Sequence, residues 1–319
     1  MLHIILDTDP GGDDVFALLW LLSLVKQHVA KLIAVTTTAG NVTAEQTFAN
    51  ASRILKLTDS TNTEVGRGVL KAPGSEDAAH IHGTDGMGGL AATLPLPDHD
   101  YATARGSDDI LIDRLSAAPG EITIVAIGPL TNLAAAEAKR PGILKLAKEI
   151  VIMGGAFYSR GNVTPQAEFN IWFHPEAAQV VLNSRSDSVI IPLDVTKHLI
   201  FTREMVLRVN RQGRTAAIPQ LLTQLCEFMI STALQYRETN GIPGFLVHDA
   251  ATLGYLFYPE TLRLQRANVK VETQGEWTRG QTLIDDRPTA KSNANSWVAR
   301  EVDTVKFFTH LIQDLYLIC

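Results

Sequence analysis

The stretch Leu6-Asp7-Thr8-Asp9-Pro10-Gly11-Gly12-Asp13-Asp14 follows directly on the apolar run His3-Ile4-Ile5-Leu6. The run has the length and composition of a buried strand, and Pro-Gly-Gly forces the chain to turn at its carboxyl end. Four carboxylates are thereby expected at one strand tip. Like charges so close raise one another's pKa unless a cation neutralises them, and a divalent metal is the simplest such cation. Ligands that are all oxygen, with no Cys or His in the cluster, point to calcium or magnesium rather than zinc. Asp13 and Asp14 also open the next helix, residues 15–25, where negative charge suits the macrodipole. Capping alone would explain one carboxylate and not four.

Working outward, the strand–turn–helix unit recurs. Residues 31–36 form a second apolar run ending at Thr38-Ala39-Gly40-Asn41, and Thr43 is placed to cap a helix to Leu57 with Gln46 in the capping-box position. A helix over 108–117, a strand over 122–127 closed by Gly128-Pro129-Leu130, a helix from Thr131, a strand over 149–153 closed by Gly154-Gly155, and a strand over 188–193 ending at Asp194 continue the alternation. Near-continuous apolar strands joined by helices predict an α/β fold, doubly wound about a mainly parallel sheet. Ligands of such sheets sit at the carboxyl ends of the strands, which gathers Asp7, Asp9, Asn41, Ile127 and Met153 on one rim. No linker, repeat or low-complexity segment interrupts the chain, so a single domain over 1–319 is expected, with a late helical segment at about 203–240.

Composition narrows the partners. The chain has 319 residues, 45% apolar, and a net charge of −6, with no basic face for a polymeric nucleic acid. No apolar run reaches membrane-spanning length and Met1 leads into a strand pattern rather than a signal peptide, so a cytoplasmic protein is expected. Cys226 and Cys319 have no metal-ligand spacing and should be free thiols.

Three further stretches carry candidate chemistry. Residues 80–89, His-Ile-His-Gly-Thr-Asp-Gly-Met-Gly-Gly, have the composition of a surface loop, and their two histidines and aspartate make them a candidate lid. Gly161-Asn162 through Glu168-Phe169-Asn170 presents amides and one acid suited to hydroxyl recognition. Val247-His248-Asp249 opens a helix after the break Gly241-Ile242-Pro243-Gly244, and an ordinary Asp cap would account for it equally well.

Taken together, residues 7–14, Ala39-Gly40-Asn41, His82-Gly83-Thr84-Asp85-Gly86, Gly128-Pro129-Leu130-Thr131-Asn132, Met153-Gly154-Gly155, Glu168-Phe169-Asn170 and His248-Asp249 resemble the inosine–uridine-preferring nucleoside hydrolases, in that family's order and spacing from the first strand to at least Tyr255. The resemblance implies a Rossmann-like N-ribohydrolase that cleaves ribonucleosides to ribose and free base with a bound Ca2+. It implies that Asp9, Asp14, the carbonyl of Ile127 and Asp249 hold the ion, with Asp9 as general base. It places Asp13, Asn162, Glu168 and Asn170 on the ribose hydroxyls and Asn41 beside the attacking water. His248 falls where the family places an acid for purines, and Tyr236 where broadly specific members contact the base. His82, Met153 and Phe169 complete the substrate-binding set, and a homodimer or homotetramer is the expected assembly. Asp7-Thr8-Asp9 is also similar to the opening of haloacid-dehalogenase-like phosphatases, which use magnesium, but that likeness leaves Asp13-Asp14 and His248-Asp249 without a role. A non-catalytic nucleoside-binding protein would be expected to have lost Asp9 or Asp249, and both are present.

Overall fold

The computed structural model describes residues 1–68, 76–210, 217–287, 289 and 293–319. The first half alternates strand and helix as the pattern requires: β1 (Leu2–Thr8), α1 (Gly12–Lys26), β2 (Ala30–Thr37), α2 (Ala44–Leu57), β3 (Glu64–Gly66), α3 (Ala79–His82), α4 (Ser107–Ala117), β4 (Ile122–Ala126), α5 (Thr131–Lys139) and β5 (Glu149–Met153). Then come α6 (Phe169–Phe173), α7 (Pro175–Ser184), β6 (Ser188–Ile191), α8 (Leu193–Thr196), β7 (Ile200–Thr202), α9 (Arg203–Val209), α10 (Ala217–Gln235), β8 (Gly244–Leu246) and α11 (Ala250–Phe257). The chain closes with β9 (Leu262–Val271), β10 (Thr282–Asp285), β11 (Ser296–Val302) and α12 (Thr304–Ile318).

Nine strands form one sheet in the order β10-β9-β11-β6-β5-β4-β1-β2-β3. All neighbours from β3 to β11 run parallel, and β9 pairs antiparallel with both β11 and β10. From β1 the chain proceeds outward to β2 and β3, then returns to place β4, β5 and β6 on the other side of β1. The connections on the two sides diverge between β1 and β4, which opens a crevice above their carboxyl ends. Asp9 and Ile127 follow directly on those two strands.

Side chains alternate across the sheet with the period of a strand. Ile4 and Leu6 enter the core on the face covered by α1, α10, α11 and α12, whereas Ile5 enters the opposite core with α4, α5 and α7. Helix α1 is buried on every side from Val15 to Leu22, because α2, α10, α11 and α12 enclose it as well as the sheet. This is why its sequence is apolar all round instead of striped. Its one large polar group is satisfied: Trp20 donates its indole N–H to Asp314 at 2.8 Å.

Several boundaries depart from expectation for local reasons. The strand from Ser188 stops at Ile191 because Pro192 has no N–H to give, and Leu193–Thr196 form a helical turn instead. Thr43 caps α2 by accepting from the Gln46 backbone N–H at 3.3 Å, but the Gln46 amide turns away to donate to Asn50 at 2.8 Å, so the capping box is half made. Within the late helical segment α10 ends at Gln235, and Arg237 and Asn240 take left-handed conformations (φ 59° and 52°). Residues 211–216 of that segment lie outside the described residues.

Candidate active site

Six segments meet over the β1/β4 crevice, and the opening turn lies at the centre. Asp14 is held from four directions: Thr8 Oγ1 (2.6 Å), the Asp9 N–H (3.2 Å), the Gly11 N–H (3.2 Å) and Asn41 Nδ2 (2.8 Å) all donate to its carboxylate. The bond to Gly11 is a helix-cap bond, so the capping role read from the sequence is present alongside the others. Asp9 accepts from the Asn41 backbone N–H at 2.7 Å. A Cβ on Gly40 or Gly128 would overlap the Asp9 carboxylate, which gives the glycines of the Ala39-Gly40-Asn41 and Gly128-Pro129-Leu130 motifs a steric meaning.

Asp249 begins α11 yet makes no side-chain bond to that helix. Its carboxylate instead lies with those of Asp13 and Asp14, one oxygen of each falling within 4.8 Å of the others. Asp9 stands against Asp14 at the side of this trio, close enough for the two charges to raise its pKa. Burial, followed by mutual repulsion, holds Asp9, Asp13 and Asp249 well above the usual carboxylate range, and burial raises Asp14 and Glu168. Among the described residues no Lys or Arg forms an ion pair with any of the five. Buried like charges with oxygen donors alone fit a hard divalent cation.

Asp7 stands apart from this cluster, against expectation. Alternation turns it to the opposite face of the sheet, where its Oδ2 accepts from Thr36 Oγ1 (2.6 Å) and Asn132 Nδ2 (2.8 Å). Asn132 also donates to the carbonyl of Thr37 at 2.8 Å, tying β1, β2 and α5 beneath the site. Asp7 Oδ1 is buried with no hydrogen-bond partner, and burial pushes this group up to about 7.

The remaining candidates surround the carboxylates. Glu168 is 2% exposed and accepts from the N–H groups of Gly155 (2.9 Å), Asn170 (2.9 Å) and Ile171 (3.3 Å), capping α6 while facing the crevice floor. Asn170 Nδ2 donates to the carbonyls of Ile127 (2.9 Å) and Met153 (3.2 Å), which ties the tips of β4 and β5 together. Asn162 is exposed and accepts from the Phe169 N–H at 2.9 Å, fixing the loop that carries Glu168. The Phe169 ring packs at a tilt against Trp172 and Phe173.

Two histidines are each gripped through Nδ1. The Gly12 N–H donates to His82 Nδ1 at 3.0 Å, which leaves the proton of a neutral ring on Nε2. His248 Nδ1 lies 2.7 Å from the Thr196 hydroxyl. Burial lowers both rings to about 4, and for His82 the neighbouring His248 and His80 add to the effect. The stretch around His82 is anchored rather than loose: Asp85 accepts from the N–H groups of Met87, Gly89 and Ala91, and Asn50 joins the carbonyls of Asp85 (2.8 Å) and Pro10 (3.0 Å). Tyr236 is half exposed beyond α10, its ring edge-on to His80 at 5.8 Å. Sequence reasoning missed Thr8, Asn50 and Thr196, because a hydroxyl or amide acting through another side chain leaves no motif. A cavity of about 680 Å³ lined by Lys145, Arg185 and Lys270 opens at the opposite rim of the sheet, away from the carboxylates.

Comparison with known proteins gives the family. The family model for inosine-uridine preferring nucleoside hydrolases matches residues 4–309. The pyrimidine-specific ribonucleoside hydrolase RihB of Escherichia coli is 35% identical over 307 residues, covering 96% of this chain and 94% of that protein. A probable uridine nucleosidase of Oryza sativa subsp. japonica is 34% identical over 298 residues, covering 92% and 88%. Among solved structures, a purine-preferring ribonucleoside hydrolase from Gardnerella vaginalis superimposes with a TM-score of 0.89 at 27% identity, covering 99% of this chain and 98% of that one. The chain belongs to the inosine-uridine preferring nucleoside hydrolase family and is a ribonucleoside hydrolase.

Proposed function

We propose that this enzyme hydrolyses the N-glycosidic bond of both inosine and uridine, with calcium held by Asp9, Asp14, the carbonyl of Ile127 and Asp249. One observation carries the metal site: the Asp249 carboxylate leaves the helix it begins and joins Asp13 and Asp14 beside Asp9, with no cationic side chain among the described residues to balance them. Calcium would supply positive charge against these carboxylates and make a nearby water more acidic. Its larger, flexible oxygen shell suits a mixed carboxylate and carbonyl site better than the strict octahedron of magnesium.

The chain's own groups divide the remaining work. Asp9, steered by the Asn41 N–H, takes a proton from the attacking water as general base. Asp13, Asn162, Glu168 and Asn170 hold the ribose hydroxyls, and Glu168 is placed to favour the positive charge that develops on the sugar as the bond to the base breaks. The water oxygen bonds to the anomeric carbon, the base departs with the electrons of the C–N bond, and a proton reaches the base. His248 is the acid for a purine: once protonated, the ring passes its Nε2 proton to the imidazole nitrogen of the base and returns to its neutral form. Uracil has no comparably basic site there and leaves by stabilisation of its anion. His82, Met153 and Phe169 complete the substrate-binding set, and Tyr236 contacts the base. The family model that matches the chain is described as inosine-uridine preferring, which supports a pocket able to take either base.

The test is a panel of ribonucleosides assayed for released reducing sugar, with metal content measured on protein purified without added calcium. Release from inosine and uridine with calcium bound is expected. Zinc at one equivalent with no calcium would overturn the ligand assignment, and inactivity on one of the two nucleosides would overturn the dual specificity.

A further inference from the structure

The geometry points to Thr196 as the positioning residue for His248, its hydroxyl holding the resting neutral ring so that its Nε2–H faces the departing base. The inference rests on the reading of His248 as a group that serves the base.

Thr196 is the last residue of α8, the single turn that follows β6, and it is fully buried. A buried hydroxyl hydrogen requires an acceptor. Among the described residues the partner of Thr196 Oγ1 is His248 Nδ1, at 2.7 Å. The hydroxyl therefore donates, Nδ1 accepts, and the proton of the neutral imidazole resides on Nε2. In the opposite tautomer Nδ1–H would donate to the hydroxyl oxygen and, among the described residues, leave the hydroxyl hydrogen without an acceptor.

The backbone on both sides of this contact is fixed. Val247 donates its N–H to the carbonyl of Leu199 at 3.0 Å, and β7 pairs with β8 through Ile200 and Leu246, so the strand carrying His248 is registered against the segment leaving Thr196. The Thr196 N–H bonds to the carbonyl of Pro192 at 3.1 Å, closing the turn that aims its side chain. Thr196 is thus built into the frame at the tip of β6, 52 residues before the ring it orients. The β-branched side chain also has restricted rotamers, which favours one direction for the hydroxyl.

The test uses the metal-loaded full-length enzyme with Thr196→Val and Thr196→Ser. Valine keeps the shape and removes the donor, whereas serine keeps the donor. With 15N-labelled histidine, the His248 ring signals are identified as those lost in His248→Gln. Wild type and Thr196→Ser should show the Nε2-protonated form, and Thr196→Val should show a mixture or the other tautomer. Loss of an orienting partner behind a functional histidine costs about ten- to a hundredfold. Thr196→Val should therefore lower kcat for inosine by about that factor with KM little changed, and Thr196→Ser should restore most of it. An unchanged tautomer in Thr196→Val, or equal losses in the valine and serine variants, would overturn the inference. If His248→Gln itself left both substrates untouched, the base-side reading of His248 would fall, while the ring signals would still decide what Thr196 does to the tautomer.

Discussion

Removing the metal should destabilise the protein by an amount set by the buried carboxylates. Calcium at a thousandfold excess over its dissociation constant contributes about 4 kcal/mol of stability by mass action. With an unfolding entropy of about 2.1 cal/mol/K per residue, a chain of 319 residues has an entropy of about 0.7 kcal/mol/K, so chelation should lower Tm by about 6 °C. The pH dependence has a definite sign. In the metal-free protein Asp9, Asp13 and Asp249 sit well above 3.8 and Asp14 above it, so the native state binds protons more readily than the unfolded chain. The stability contributed by those protons is fully present below the unfolded pKa and is lost as pH rises through the native values. The metal-free form therefore gains stability as pH falls from about 8 toward about 5, while protons compete with calcium in the loaded form, and the two Tm values converge in acid. Calorimetry with excess calcium and with chelator across that range measures both. Equal Tm values at neutral pH, in protein shown by elemental analysis to have lost its metal, would refute the reasoning, as would a gap that widens in acid.

Asp9→Ala should lower turnover by at least about a thousandfold, since base and metal ligand go together; near-normal turnover would end the proposed mechanism. His248→Ala should depress inosine hydrolysis by about a hundredfold and uridine less, and equal losses measured with both substrates would remove His248 as an acid. Poor use of 2′-deoxynucleosides is expected because the ribose-binding groups would be left with unpaired polar atoms, a point that kcat/KM for uridine against deoxyuridine decides. Away from the site, Asp314 accepts from Trp20 (2.8 Å), Tyr258 (2.6 Å) and Gln27 (3.2 Å). Asp314→Ala should strand the buried Trp20 N–H and the half-buried Tyr258 and Gln27 donors and cost about 2–4 kcal/mol in denaturant unfolding, with activity per folded molecule retained.

The features legible in the sequence are those encoded locally. Apolar runs in β1, β2, β4 and β5, each closed by glycine or a polar residue and followed by a helix, contain the period and the punctuation of a doubly wound sheet within a few residues. The crowded aspartates likewise declare a cation by their own repulsion, before any partner is known. The choice among those aspartates lies beyond local pattern. Asp7 lies inside β1, where alternation turns it to the far face and Asn132, 125 residues away, supplies its donor, whereas Asp9 lies past the end of that strand in the turn, and where the strand ends is settled by the fold. Asp249 is indistinguishable in sequence from an ordinary helix cap, and only the approach of α1 to α11 makes it a member of the trio with Asp13 and Asp14. The antiparallel edge of β9 and β10 was hidden for a similar reason, since an apolar run states that a strand is buried but not which way its neighbour runs. Thr196 is the plainest case: a threonine after an apolar strand predicts nothing, and it acquires a role only when the β7/β8 pairing brings His248 within 2.7 Å of its hydroxyl. Hydrogen-bond geometry between distant segments depends on how the layers pack, and packing is a property of the whole chain rather than of any window within it.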